Sequence, residues 1–170
     1  MDKIYSHPKR KTKVVFVQLG SPSEPTTKAL RKYLRKFLGD PRVVDINPWL
    51  WKIILNFFVL PFRPKKSAKL YARIWDGKSF PLITNTRDFT NNVREELKKI
   101  DPDGHVEVNH AFLLSPPYVN EVYDSWENDL KKGIGATKLL VIPMFPQYSE
   151  STIASGIDAL AKELSKRVKI

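Results

Sequence analysis

The chain has 170 residues, with 29 Lys and Arg against 18 Asp and Glu, a net charge of +11, and no cysteine. That length suits one globular domain, and 42% hydrophobic residues with 28% charged excludes a disordered tail. The missing cysteines exclude disulfides, thiolate zinc sites, iron–sulfur clusters and cysteine nucleophiles.

Residues 1–12 form a basic lead-in without the apolar core of a signal peptide, and an α/β lobe is expected over 13–170. Lys13 to Leu19 is rich in β-branched residues and stops at Gly20-Ser-Pro22, which predicts a buried strand delivering a loop. A helix opens at Pro25-Thr26-Thr27; Leu30, Tyr33, Leu34, Phe37 and Leu38 form its apolar stripe, and Gly39-Asp40-Pro41 ends it. Trp49 to Phe62 is as apolar as a membrane span but only 14 residues long and interrupted by Lys52, Asn56 and Pro61. A span needs about 20 residues, so this segment reads as a lip, with Trp49, Trp51, Ile54, Phe57, Phe58 and Phe62 offered to a ligand or a surface. Arg63 to Trp75 is a second basic helical stretch. Thr84 or Asn85 can cap a helix with Phe89, Val93, Leu97 and Ile100 inward, and Asp101 to Gly104 is a turn.

His105 to Leu114 predicts a second strand, ended by Ser115-Pro-Pro117. Val119, Val122, Tyr123, Trp126 and Leu130 predict a helix, Lys138 to Met144 a third strand, and Ile153, Ile157, Leu160 and Leu164 a last helix. Val168-Lys-Ile170 can begin a fourth strand. Apolar strands alternating with amphipathic helices predict an α/β fold, a parallel sheet with helices on both faces in the flavodoxin or Rossmann manner.

Ligands of such folds sit outside the carboxyl ends of the strands, which points to 19–23, 112–117 and 144–152. No Gly-x-x-x-x-Gly-Lys and no Gly-x-Gly-x-x-Gly is present, which disfavours a nucleotide. His7, His105 and His110 are scattered; only His110, inside a strand, could be held rigidly, and no metal site and no complete catalytic set emerges. Tyr148, Ser149, Ser151 and Thr152 crowd hydroxyls at a helix start, where they either cap the helix or bind an anion. The charge is uneven: residues 1–75 hold 17 Lys and Arg against 4 Asp and Glu, residues 76–170 hold 12 against 14. That suits nucleic acid, anionic lipid or an acidic small ligand. No helix-turn-helix, zinc finger or RNA-recognition sequence accompanies it, so nucleic acid is the weakest of the three.

Several segments together resemble the N-terminal half of ferrochelatase: Val17-Gln-Leu-Gly-Ser-Pro22, Tyr33 to Val44, Leu60-Pro-Phe-Arg-Pro-Lys-Lys-Ser67, Tyr71-Ala-Arg-Ile-Trp75 and Pro146-Gln-Tyr-Ser-Glu-Ser-Thr152. They run in family order across about 15–160. The resemblance implies one lobe of a two-lobe protein that inserts Fe2+ into a porphyrin in haem biosynthesis, with both as substrates and no tightly bound cofactor. It implies porphyrin contact by Leu19, Tyr71, Phe80, Leu113, Leu114, Tyr148, Ser149, Ser151, Thr152 and Ser155. It makes Trp49–Phe62 an apolar lip at the porphyrin entrance, flanked by Arg42, Lys52, Arg63, Lys65 and Lys66, which suit propionates or an anionic membrane surface. The implied location is cytoplasmic and peripheral at the membrane, with the C-terminal lobe, or a dimer of the family's kind, as protein partner.

The sequence departs from the family pattern at three places. Ser79-Phe80-Pro81 loses a pocket hydroxyl, Leu113-Leu114 replaces a cation and a phenol, and Ser115-Pro-Pro117 replaces a Gly-Asn-Pro-like turn. The family's catalytic His and Glu belong beyond residue 170, so this chain alone is expected to be inactive. The alternative is a non-catalytic module that binds porphyrin or haem, or rests on a membrane surface.

Overall fold

The computed structural model describes residues 11–165. His7, nearly all of the lead-in, the Leu164 side chain and the fourth strand expected at 168–170 lie outside that description.

Three parallel strands form the sheet in the order β2-β1-β3, with β1 at Thr12–Gln18, β2 at Val106–Phe112 and β3 at Lys138–Pro143. Alternation along β1 divides its side chains between two cores. Val15 and Val17 face one side with Ala111, against Val119 and Tyr123 of helix α5 (Val119–Lys131) and Leu160 of α6 (Ser155–Ser165). Val14 and Phe16 face the other with Val108, against Val93 and Leu97 of α4 (Pro81–Ile100). The α/β architecture with helices on both faces is therefore present. Over β3 no described residue covers the α4 side fully, and Leu140 and Ile142 are exposed there among the described residues.

A third core lies between β1 and α4 in the chain. Helix α1 (Thr27–Leu38), capped by Thr26 accepting from the Ala29 N–H at 3.2 Å, packs Tyr33, Leu34 and Leu38 against Leu55 and Leu60. Those two leucines come from a segment made of α2 (Pro48–Ile54), a wide π turn (Leu55–Val59) and α3 (Leu60–Tyr71). Pro64 inside α3 has no N–H, which deprives the Leu60 carbonyl of its helical donor; Arg31 Nε of α1 donates to that oxygen at 3.2 Å instead. One proline thus ties α3 to α1.

Several expectations need correction. Helix α4 starts at Pro81, with Phe80 at its cap, because proline suits a first helical turn; Thr84 and Asn85 lie inside the helix. Its buried positions include Thr86 and Thr90, whose hydroxyls donate to the Leu82 and Thr86 carbonyls at 2.7 Å and so leave a methyl for the core. Phe89 faces inward, edge-on to Phe16 at 5.1 Å, though it stays partly open, whereas Ile100, also placed on that stripe, is exposed, as is Ile157 of α6. No described helix is long and apolar enough to cross a membrane.

Candidate functional site

Parallel strands end on the same side, and backbone hydrogen bonds stitch their exits together. Leu113 N–H donates to Gln18 O at 3.1 Å, Leu114 N–H to Leu19 O at 3.0 Å, and Met144 N–H to Val17 O at 2.9 Å. The Gln18 side chain adds a bond to Met144 O at 2.8 Å. Gly20 turns the chain at φ 91°, and a Cβ there would stand 2.3 Å from Ser115 Oγ, so only glycine allows the two loops to approach. Ser21 N–H then donates to Ser115 Oγ at 3.3 Å. Since β1 connects to β2 on one side while β3 lies on the other, the sheet's switch point falls between the 19–23 and 144–152 loops.

Leu19, Leu113, Leu114 and the hydroxyl turn share this edge. In the turn, Ser149 O accepts from the N–H groups of Thr152, Ile153 and Ala154, at 3.2, 3.0 and 3.3 Å, and starts a π turn (Glu150–Ala154). Ser149 Oγ and Ser151 Oγ hydrogen-bond each other at 3.0 Å, and neither caps the helix. Tyr148 is 68% exposed. Ser155 Oγ donates to Asp40, and Arg42 Nε to Asp158, so the turn is held to the loop after α1.

Tyr71 joins the edge indirectly. Its ring lies 6.3 Å from that of Tyr33, whose hydroxyl donates to Gly20 O at 3.4 Å. Burial pushes the Tyr33 phenol well above its usual range, and Tyr71 adds to the shift. Phe80 does not reach the surface. At 1% exposure it packs edge-on to Tyr71 at 5.4 Å and to Trp75 at 4.7 Å, a core plug behind Tyr71 that presents almost no surface. Leu113 and Leu114 are only half open: Leu113 packs in the α5–α6 core, where it comes close to Gly156, and Leu114 in the α1–α3 core.

The lip is borne on the outside of α2, the π turn and the start of α3. Trp49 is 81% exposed and Phe57, Phe58 and Phe62 nearly as much. Two of its expected members turn away. Trp51 packs inward and donates from Nε1 to Leu38 O at 2.7 Å, and Ile54 is half-buried. Leu50 and Ile53, which sequence reasoning passed over, are exposed instead. Pro48, Trp49, Lys52, Ile53, Asn56 and Phe57 line an open groove of ≈ 650 Å³; the i, i+4, i+8 spacing of Trp49, Ile53 and Phe57 carries the signal for it.

His110 stands apart from the edge. It pairs in register with Phe16 on the α4 side of the sheet, and its Nδ1 is buried without a partner among the described residues. Burial lowers its pKa below 6.5, helped by the nearby Arg94 and Arg87. No group of three His, Asp or Glu able to hold a metal occurs among the described residues.

These features coincide with a clear kinship. The ferrochelatase family profile matches residues 11–170. Similar proteins include the ferrochelatase of Idiomarina loihiensis, 44% identical over 154 residues covering 91% of this chain and 41% of that protein. Ferrochelatase 1 of Shewanella oneidensis is 40% identical over 155 residues, covering 90% and 44%. The coproporphyrin III ferrochelatase of Streptococcus mutans is 38% identical over 162 residues, covering 95% and 48%. The chain thus spans somewhat less than half the length of the curated relatives it matches. With that match running from the first described residue to the end of the sequence, the chain belongs to the ferrochelatase family.

Proposed function

We propose that this chain forms one wall of the porphyrin cleft in an enzyme that inserts Fe2+ into a porphyrin for haem biosynthesis. The observation that carries this reading is the convergence of Leu19, Leu113, Leu114 and the hydroxyl turn at the edge where all three parallel strands end. Leu19 offers an apolar contact to the macrocycle and cannot ligate iron. Ser149, Ser151 and Thr152 offer hydroxyls to its polar periphery, and Tyr71 supports the edge through Tyr33.

Metal insertion requires a base for the pyrrole protons and ligands that deliver the ion. His110 faces α4, with its basicity lowered, and does not fit that task. The base and the metal-delivering groups therefore come from a second lobe, in keeping with relatives about twice as long, and this chain alone binds porphyrin without metallating it. The lip rests on an anionic membrane surface from the cytoplasmic side, with Lys52, Arg63, Lys65 and Lys66 toward headgroups.

A titration of free-base protoporphyrin IX and coproporphyrin III followed at the Soret band tests the wall. A saturable shift supports it, and no shift up to the order of tens of micromolar contradicts it. The second reading is a module that holds porphyrin without any chemistry. It is favoured by Leu113 and Leu114, whose packing into two cores leaves no cation at the strand ends they occupy. Assay of the longer protein separates the two readings, since metallation there supports the enzyme and its absence supports the module.

A further inference from the structure

The loop after α1 holds its neighbours more firmly than a connector requires. Asp40 organises its own turn: Oδ1 accepts the Arg42 N–H at 2.9 Å, and its carbonyl accepts the Val43 and Val44 N–H groups at 3.0 and 3.2 Å. Its other carboxylate oxygen accepts the Ser155 hydroxyl, 115 residues away in the chain. Arg42, aligned by that turn, donates from Nε to Asp158, which lies one helical turn beyond Ser155 on α6. Tyr148 and Glu150 also lie within electrostatic reach of Arg42. The start of the hydroxyl turn and the first turn of α6 thus bear on one guanidinium.

The same loop is rooted in the lip. Val43 and Val44 pack in the core that Leu55, Leu60, Trp51 and Val59 share with α1. We propose that Asp40 and Arg42 are positioning residues that set the orientation of the hydroxyl turn 148–155 and join it mechanically to the base of the lip. Two attachments of different chemistry, one turn apart on α6, fix an orientation and not merely a distance. A displacement of the lip is carried by Val43 and Val44 to Asp40 and Arg42, and from them to Ser155 and Asp158. The Arg42–Asp158 pair is 40% and 55% exposed, so it adds little to global stability, and its effect is local.

What the turn faces rests on the porphyrin-cleft reading; the attachment itself is tested without porphyrin. Hydrogen exchange at the Thr152, Ile153 and Ala154 amides reports the turn, and at Val15 and Val17 the sheet. In a protein carrying Arg42→Ala and Ser155→Ala the turn amides should exchange at least about tenfold faster while the sheet amides keep their rates. Exchanging the charges with Arg42→Asp and Asp158→Arg, Ser155 retained, should restore protection to within about threefold of the original. Unchanged turn amides, equal loosening of the sheet, or no recovery on charge exchange overturns the proposal. A porphyrin titration separates it from the cleft reading. Failure of the original chain to bind porphyrin while the exchange pattern holds removes the cleft reading alone. A loosened variant that binds porphyrin with the original affinity and spectrum removes the positioning role.

Discussion

Two groups of aromatic side chains, neighbours in the sequence, meet opposite fates. Tyr33, Tyr71, Trp75 and Phe80 interlock at ring separations of 4.7 to 6.3 Å and close the core behind the strand ends. Trp49, Phe57, Phe58 and Phe62 stand in solvent on a segment whose only charged residue between 48 and 62 is Lys52. The interlocked group has partners on several elements, whereas the lip segment is apolar nearly all round and is seated by Leu55 and Leu60 with Trp51 and Val59. A helix with more apolar surface than its own core can cover retains the excess for something else. The same contrast runs through the charges. Helices α4 and α5 pair Lys98, Lys99 and Lys131 with glutamates a turn away, while α1 carries Lys28, Arg31, Lys32, Arg35 and Lys36 with no acid among its residues.

Truncation distinguishes the two aromatic groups most sharply. Phe80→Ala should cost about 3–5 kcal/mol of unfolding free energy in urea, and Phe57→Ala no more than about 0.5 kcal/mol. Comparable losses at both sites would mean that the lip is structural. Gly20→Ala should cost about 3 kcal/mol by the same measurement, since it combines a positive φ with a collision at Ser115. A neutral result there would remove the close approach of the strand-end loops. Phe57→Ser with Phe58→Ser should weaken co-sedimentation with anionic vesicles at least about tenfold without lowering the melting temperature. If vesicle binding survives, the lip is not the membrane contact.

The smallest expected effect is one of pH. The folded pKa of His110 lies below 6.5, so the unfolded chain takes up the proton first. The stability tied to neutral His110 is complete above that unfolded value and is lost as the pH falls through it. His110→Asn should therefore flatten the slope of stability between about pH 7 and 5. An unchanged slope would place the titrating group elsewhere.

The sheet and the helix stripes were legible because burial leaves a period: Val14 to Val17 as a continuous run, Leu30 to Leu38 and Val119 to Trp126 as stripes. The hydroxyl turn and the lip were legible as segments, through kinship and composition. What escaped has physical reasons. Thr86 and Thr90 do not look like core residues until their hydroxyls turn back on the helix. Phe80 reads like any aromatic before a proline, and only the fold puts Tyr71 and Trp75 around it. Trp51 and Trp49 are two residues apart, and a helix sends such neighbours to different faces. Asp40 and Ser155 are joined across 115 residues, which no local pattern encodes.

The most direct test of the account is one absorption titration, in which a free-base porphyrin with Fe2+ is mixed anaerobically with rising amounts of this chain. A wall of the cleft without its acid–base groups predicts a saturable Soret shift with the free-base Q-band pattern preserved. An unshifted Soret band, or conversion to the metalloporphyrin pattern, would contradict it.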